Sequence, residues 1–256
     1  MTGSAAIGCL FVLVHGSRHG GWCWERLVPL LEREGSSVRW PTLAGLGERA
    51  HLLDRFEVDL ETHVSDVSDL IKFNDLRDVI LVGHSYGGMV ITGAAARVPD
   101  RVSQMIYLDA VVPRSGECHF DICDAERRQE LEQLIATDGR GRVVPGRGSG
   151  LAYFGIREPS DVSWVRARLS DQPAATFTQP LGDVSAAEPI PKTYLRFSRS
   201  NLVSKVSDQR ARLLDYRVLD LPHDAMVSHP EVLARELIGI AAELAETTRT
   251  GKEEPR

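Results

Sequence analysis

The stretch ILVGHSYGG at residues 80–88 restricts what this chain can become more than any other. A β-branched apolar run ends at Gly83, and SYGGMVITGAAARVPD (85–100) continues at once with small residues at helical spacing. That is a strand, a tight turn and a helix, with Ser85 of a G-x-S-x-G motif on the turn. A serine in such a turn is held on strained backbone where flanking side chains would clash, so glycines surround it and its hydroxyl projects above the sheet. The helix that starts there aims its dipole and free N–H groups at charge developing beside the serine.

The rest of the chain supplies a parallel sheet around this turn. CLFVLV (9–14), SVRWPTL (37–43), DVILVG (78–83), QMIYLDA (104–110), KTYLRF (192–197) and DYRVLDL (215–221) read as strands. WERLVPLLEREG (24–35), LETHVSDVSDLIKF (60–73) and EVLARELIGIAAELAE (231–246) alternate with them as helices, the pattern of an α/β fold. Between about Val112 and Pro191 the rhythm stops. ERRQELEQLIA (126–136) and SDVSWVRARLSDQ (160–172) read as helices there, joined by a flexible glycine–arginine hinge, GRGRVVPGRGSG. The expected division is therefore a core of residues 1–112 and 188–256, a helical cap at 113–187, and a frayed tail at 247–256.

With 256 residues and a formal net charge of −6, the chain has no clustered basic face, which argues against nucleic acid and against anionic lipid as partners. No stretch has the length of a membrane span. MTGSAAIGCLFVLVHG lacks the basic start of a signal peptide and reads as a strand. Cys9, Cys23, Cys118 and Cys123 follow no metal-ligand spacing, so reduced thiols in a cytoplasmic protein are expected, with Cys9 buried.

A serine nucleophile needs donors for an oxyanion. FVLVHGSRHGGW (11–22) places a glycine loop at the end of the first strand, so the N–H of Ser17 and that of Tyr86, just after the serine, are the expected pair. His15 and His19 stand four apart, but on a loop rather than a helix, which does not suit zinc; no metal or cofactor is expected. The general base should follow the last strand, where RVLDLPHDAMVSHP offers His223 in a loop; His229, before a proline, reads as surface. His84 adjoins the serine and is a candidate pocket residue. The insert's Tyr153, Phe154, Trp164 and Phe177 point to a hydrophobic or aromatic pocket, although each could equally pack the cap on the core.

HGSRHGGWCW, GHSYGG, YLDAVVP, DQPAATFTQPL and LPHDAM together resemble the α/β-hydrolase superfamily, and within it the branch of plant-type methyl esterases, hydroxynitrile lyases and their bacterial esterase relatives. The resemblance runs over nearly the whole chain and is weakest in the cap. It implies a mostly parallel eight-stranded sheet, a cofactor-free site under a helical cap, and hydrolysis of a small carboxylic ester, such as the methyl ester of a natural product. Within the resemblance a homodimer is left open.

One element of that branch is absent. Its triad carboxylate follows the strand that here is KTYLRF, and in RFSRSNL (196–202) the place falls on Ser200 or Asn201. Asp109, at the carboxyl end of QMIYLDA, is the leading replacement, since catalytic groups of open α/β sheets gather at that edge and some haloalkane dehalogenases, which the stretch resembles, carry their acid there. Asp208 is the rival, on a helical stretch, and Asp224 should point away if His223 faces the serine. Two other readings follow. A hydroxynitrile lyase would carry a threonine and a lysine where this chain has Gly16 and Asp224. A binding protein that kept the fold without the chemistry would explain the gap in RFSRSNL.

Overall fold

A computed structural model describes residues 8–146 and 154–250. Six strands form a parallel sheet in the order β2-β1-β3-β4-β7-β8: β1 (Leu10–Val14), β2 (Ser37–Arg39), β3 (Val79–His84), β4 (Val102–Leu108), β7 (Lys192–Phe197) and β8 (Asp215–Leu219). The six are those read from the sequence; the eight-stranded sheet implied by the resemblance is not reached. The chain runs outward from β1 to β2 and then returns to β3 on β1's other side, which opens a crevice above the carboxyl ends of β1 and β3.

The central strands read as continuous apolar runs because helices cover both faces. On one face α2 (Leu60–Phe73) and α3 (Gly87–Arg97) bury Val64, Val67, Ile91 and Ala94 against Leu81, Met105 and Tyr107. Asp59 starts α2 by accepting the N–H of Thr62 at 2.9 Å. The small residues of α3 let it lie close: a β-carbon on Gly88 would sit 2.1 Å from the carbonyl oxygen of Val111, and one on Gly93 2.7 Å from Val64. On the other face α1 (Val28–Arg33) and α10 (Pro230–Thr250) bury Leu31, Leu233 and Leu237 against Phe11, Leu13 and Val82.

Several boundaries differ from the sequence reading. The helix expected over 24–35 is α1 alone, preceded by a 3-10 turn at Gly21–Trp24. α10 continues to Thr250, through residues expected to fray, while its apolar stripe packs on the core as far as Leu244. The segment between β4 and β7 holds α4 (His119–Ile122), α5 (Ala125–Ala136), α6 (Pro159–Arg166) and α7 (Ala175–Thr178). Within the expected hinge, β5 (Val143–Val144) pairs antiparallel with β6 (Gln172–Pro173), so that part is pinned, and the helix expected to reach 172 ends at Arg166. After β7, α8 (Lys205–Ala211) and α9 (Ala225–Ser228) flank β8. All four cysteines are free, and Cys9 is half-buried rather than buried.

Candidate functional site

Neighbouring strands β3 and β4 end alike. His84 pairs with Leu108, and the next residue of each strand turns into left-handed backbone, Ser85 at φ 54° and Asp109 at φ 44°. Non-glycine residues rarely adopt this conformation, and here each is held by the strand beside it. The N–H of Ser85 donates to Leu108 O at 3.1 Å, and the N–H of Asp109 to Leu195 O at 2.8 Å. The Ser85 carbonyl in turn accepts from Gly88 and Val111, both at 3.1 Å. The glycines of the motif are required by close approach. A β-carbon on Gly87 would meet Val14 O at 2.7 Å, and one on Gly83 would meet Gly87 O at 2.8 Å. The same argument covers the loop after β1, where a β-carbon on Gly16 would lie 2.9 Å from that of Ser85.

Asp109 meets His223. Its Oδ2 accepts from His223 Nδ1 at 2.6 Å, while Oδ1 accepts from Arg196 Nη1 at 2.5 Å and from the N–H of Phe197 at 3.3 Å. With Nδ1–H given to the carboxylate, His223 keeps Nε2 as a lone-pair acceptor. Burial alone would raise the Asp109 carboxyl; the hydrogen bond and charge of His223, then Ser200 and Arg196, outweigh it and hold the group below the usual carboxylate value. RFSRSNL thus contributes without a carboxylate. Arg196 grips Asp109 and donates to Ser200 O at 2.9 Å, and Ser200 Oγ lies 3.4 Å from His223 Nδ1. Asp208 does not reach His223: it accepts from Tyr216 Oη at 2.8 Å, pairs with Arg212 at 3.0 Å and lies 3.7 Å from Nε of Arg196, on the far side of that guanidinium's contact with Asp109.

Around this pair lie further histidines with fixed roles. His84 donates from Nε2 to the carbonyl of His223 at 3.0 Å, and burial, then the neighbouring His223, keeps its pKa well below the ordinary value. His15 donates to Gly16 O at 2.8 Å and accepts from the N–H of Leu43 at 3.1 Å, and burial pushes its pKa down to about 3. Both of its nitrogens therefore serve the loop, as the single N–H of a neutral ring allows. His63 accepts from the hydroxyl of Tyr86 at 3.0 Å and so ties down the residue after the serine. His229 lies outside, against Arg199 at 3.0 Å.

Asp224 points away from Asp109, as expected, but it is not idle. Fully buried, it receives His19 Nε2 at 3.0 Å, and His19 Nδ1 lies 2.9 Å from Ser17 O. Both nitrogens of His19 thus face oxygens, one of the Asp224 carboxylate and one of the Ser17 carbonyl. Sequence reasoning missed this pair, and it missed Arg196, whose one signal was a charge near the end of an otherwise apolar strand. Among the described residues, His84, His223 and Asp224 bring metal-ligating atoms within 4.8 Å of one another; His84 Nδ1 and Asp224 Oδ1 have no hydrogen-bond partner.

Ser85 and His223 open on one cavity of about 330 Å³, walled by Ser17, Arg18, Phe154, Phe177 and residues of α4 and α5. Among the described residues, the amides of Ser17 and Tyr86 have no hydrogen-bond acceptor. Trp164, expected in the pocket, is not on this wall; its indole packs edge-on to Trp22 at 5.1 Å and lies beneath Arg26 and Arg168. Gly16 and His84 lie behind Ser85 and His223 rather than on the wall, and Tyr153 is outside the described residues.

The chain is 34% identical over 252 residues to a carbendazim hydrolyzing esterase of Nocardioides sp. (strain SG-4G), covering 90% of this chain and 98% of that one. It is 26% identical over 250 residues to a pheophorbidase of Raphanus sativus, covering 89% and 92%. Among solved structures, an extracellular alpha/beta-hydrolase from a Paenibacillus species, described as sharing structural and functional homology with tobacco salicylic acid binding protein 2, superposes with a TM-score of 0.79 at 25% identity, covering 90% of this chain and 98% of that one. The sequence profile of the alpha/beta hydrolase family matches residues 11–236, and the chain belongs to that family.

Proposed function

We propose that this carboxylic ester hydrolase works through an acyl-enzyme on Ser85. The Ser85 hydroxyl attacks the ester carbonyl while His223 Nε2 takes its proton, and the same imidazole then protonates the departing alcohol. Asp109 holds the ring in the Nδ1–H tautomer and offsets the imidazolium charge. The unengaged amides of Ser17 and Tyr86 receive the oxyanion. Water repeats the sequence on the acyl-enzyme and frees the acid. The observation that carries this reading is the 2.6 Å contact between the Asp109 carboxylate and His223 Nδ1 in the cavity that Ser85 lines.

Phe154 and Phe177 on the wall support a small hydrophobic or aromatic ester, and a relative of Arabidopsis thaliana named a pFDCC methylesterase supports a methyl ester among the possibilities. A cytoplasmic setting belongs to the same reading and rests on four unpaired thiols; no described helix is long and apolar enough to cross a membrane. The binding-protein reading drew its support from the empty place in RFSRSNL, which loses force with Asp109 on His223. A lyase is disfavoured by Gly16, where a threonine side chain would collide with Ser85, and by Asp224, already committed to His19.

The test is kcat on a short p-nitrophenyl ester for the wild type, Asp109→Asn and Asp208→Asn, with Ser85→Ala as blank. Asp109→Asn is expected to lose about 10³–10⁴ in kcat, as when a triad carboxylate is neutralised, and Asp208→Asn almost nothing. Near-wild-type turnover by Asp109→Asn would sink the assignment, and a wild type no faster than Ser85→Ala would sink the esterase mechanism.

A further inference from the structure

The wall of the cavity carries a buried cation that has no hydrogen-bond or ion-pair partner among the described residues. Arg18 is only 5% exposed and shares the cavity wall with Ser85 and His223. Its backbone is at φ 65°, a conformation that costs a non-glycine residue energy. That conformation is secured from the cap: the N–H of Arg18 donates to Gln172 Oε1 at 2.9 Å, and its carbonyl accepts from the N–H of Ser170 at 2.9 Å. Among the described residues the guanidinium itself has no hydrogen bond and no ion pair. It rests over the ring of Phe154, 5.3 Å from the centroid, and that ring is stacked on His223.

Acids stand nearby, but most are engaged. Glu130 pairs with Arg127 at 2.5 Å, Asp124 Oδ1 accepts the N–H of Lys205 at 3.3 Å, and Asp224 is held by His19. Glu126 is exposed on the rim. Burial, then the neighbouring Arg127, pushes the Arg18 pKa down to about 10, which leaves it charged at neutral pH. A desolvated guanidinium with five unspent N–H donors is costly unless something in the cavity accepts from them.

We infer that Arg18 is a substrate-binding residue and that the ester cleaved here carries a carboxylate, received by the fork of the guanidinium while the ester carbonyl sits at Ser85. Planar, paired N–H groups match a carboxylate in a way a point charge does not. The inference rests on the esterase reading above and narrows its substrate to half-esters of dicarboxylic acids.

The experiment compares mono-p-nitrophenyl glutarate with p-nitrophenyl pentanoate, which share a five-carbon acyl chain and differ in the terminal carboxylate. The kcat/KM ratio, charged over neutral ester, is measured for the wild type, Arg18→Met and Arg18→Lys. It should fall by roughly 10- to 100-fold in Arg18→Met, chiefly through KM, the range expected for losing a charge-assisted hydrogen bond, with Arg18→Lys in between. The same ratio in wild type and Arg18→Met would overturn the inference. If neither ester is turned over faster than by Ser85→Ala, the esterase reading fails instead, and binding then decides about Arg18. Calorimetric titration of glutarate into Ser85→Ala, with and without Arg18→Met, should show affinity lost with the guanidinium; affinity indifferent to Arg18 would overturn the inference on that arm.

Discussion

The floor of the cavity and its cap are built on different principles. On the floor, Ser85, Asp109 and His223 come from strand ends or the loop after the last strand, and each is tied to a neighbouring strand or buried side chain by short hydrogen bonds. In the cap, α5 buries little besides Leu131, and its side chains meet one another in solvent, as in the Arg128–Glu132 pair at 2.8 Å. Exposed pairs of that kind contribute little to stability. The floor holds the reacting groups on backbone and buried side-chain hydrogen bonds, whereas α5 meets the core through few buried side chains. Chemistry belongs to the first and choice of substrate to the second. Arg18 stands where they meet, on the floor's loop and fastened by the cap's Ser170 and Gln172.

Asp224→Asn tests the floor behind its reacting groups. It weakens the grip on His19, which sets the carbonyl of Ser17 and so the aim of the Ser17 N–H. The expected loss is about 10- to 100-fold in kcat with little change in KM, less than the roughly 10²–10³ for deleting an oxyanion donor outright. A change confined to KM would move Asp224 from floor to substrate wall.

Acid unfolding asks whether the two regions come apart together. His15 and His63 on the floor are buried and His119 in the cap is half-buried, and all three are held neutral, their pKa values pushed down by desolvation to about 3, about 4 and about 4. The unfolded chain protonates its histidines below about pH 6.5, while these three stay neutral in the fold, so stability is lost as pH falls from about 6.5 towards 4. Each contributes a slope of up to about 1.4 kcal/mol per pH unit across that window. His119→Gln should therefore reduce the slope of unfolding free energy against pH by up to about 1.4 kcal/mol per pH unit if cap and floor unfold as one unit. An unchanged slope would show that the cap opens first.

The smallest effect is expected at Trp164. Because its indole packs on Trp22 and two arginines outside the cavity, Trp164→Ala should change kcat/KM by no more than about twofold, as substitutions away from a site usually do. A larger loss, with normal thermal stability, would show that the cap brings Trp164 to the substrate.

What could be read without coordinates follows from interaction range. Strand and helix periodicity and the glycines around Ser85 depend on neighbours a few residues away, and the structure has the six strands and the helix over 60–73 close to where the sequence put them. The cap was read less well, because two-residue strands such as β5 and β6 leave no period to detect, and Val143–Val144 in a glycine-rich stretch looked like hinge. Trp164 was misplaced for a similar reason: aromatic character says that a side chain will be covered, not by what.

The sequence by itself determined a parallel α/β sheet with a serine on a strained turn, and it raised the question of the missing carboxylate. Only the tertiary structure decided which acid reaches His223. Asp109 and His223 are 114 residues apart, and their contact depends on β4 lying beside β7 with Leu108 opposite Leu195, so that Arg196 arrives next to Asp109. It likewise decided that Asp224 would serve the loop of Ser17 and that Arg18 would be buried with its guanidinium unpaired among the described residues. Local pattern fixes backbone conformation because backbone sterics act between adjacent residues. The pairing of charges is fixed by strand register and burial, which exist only once the sheet has formed.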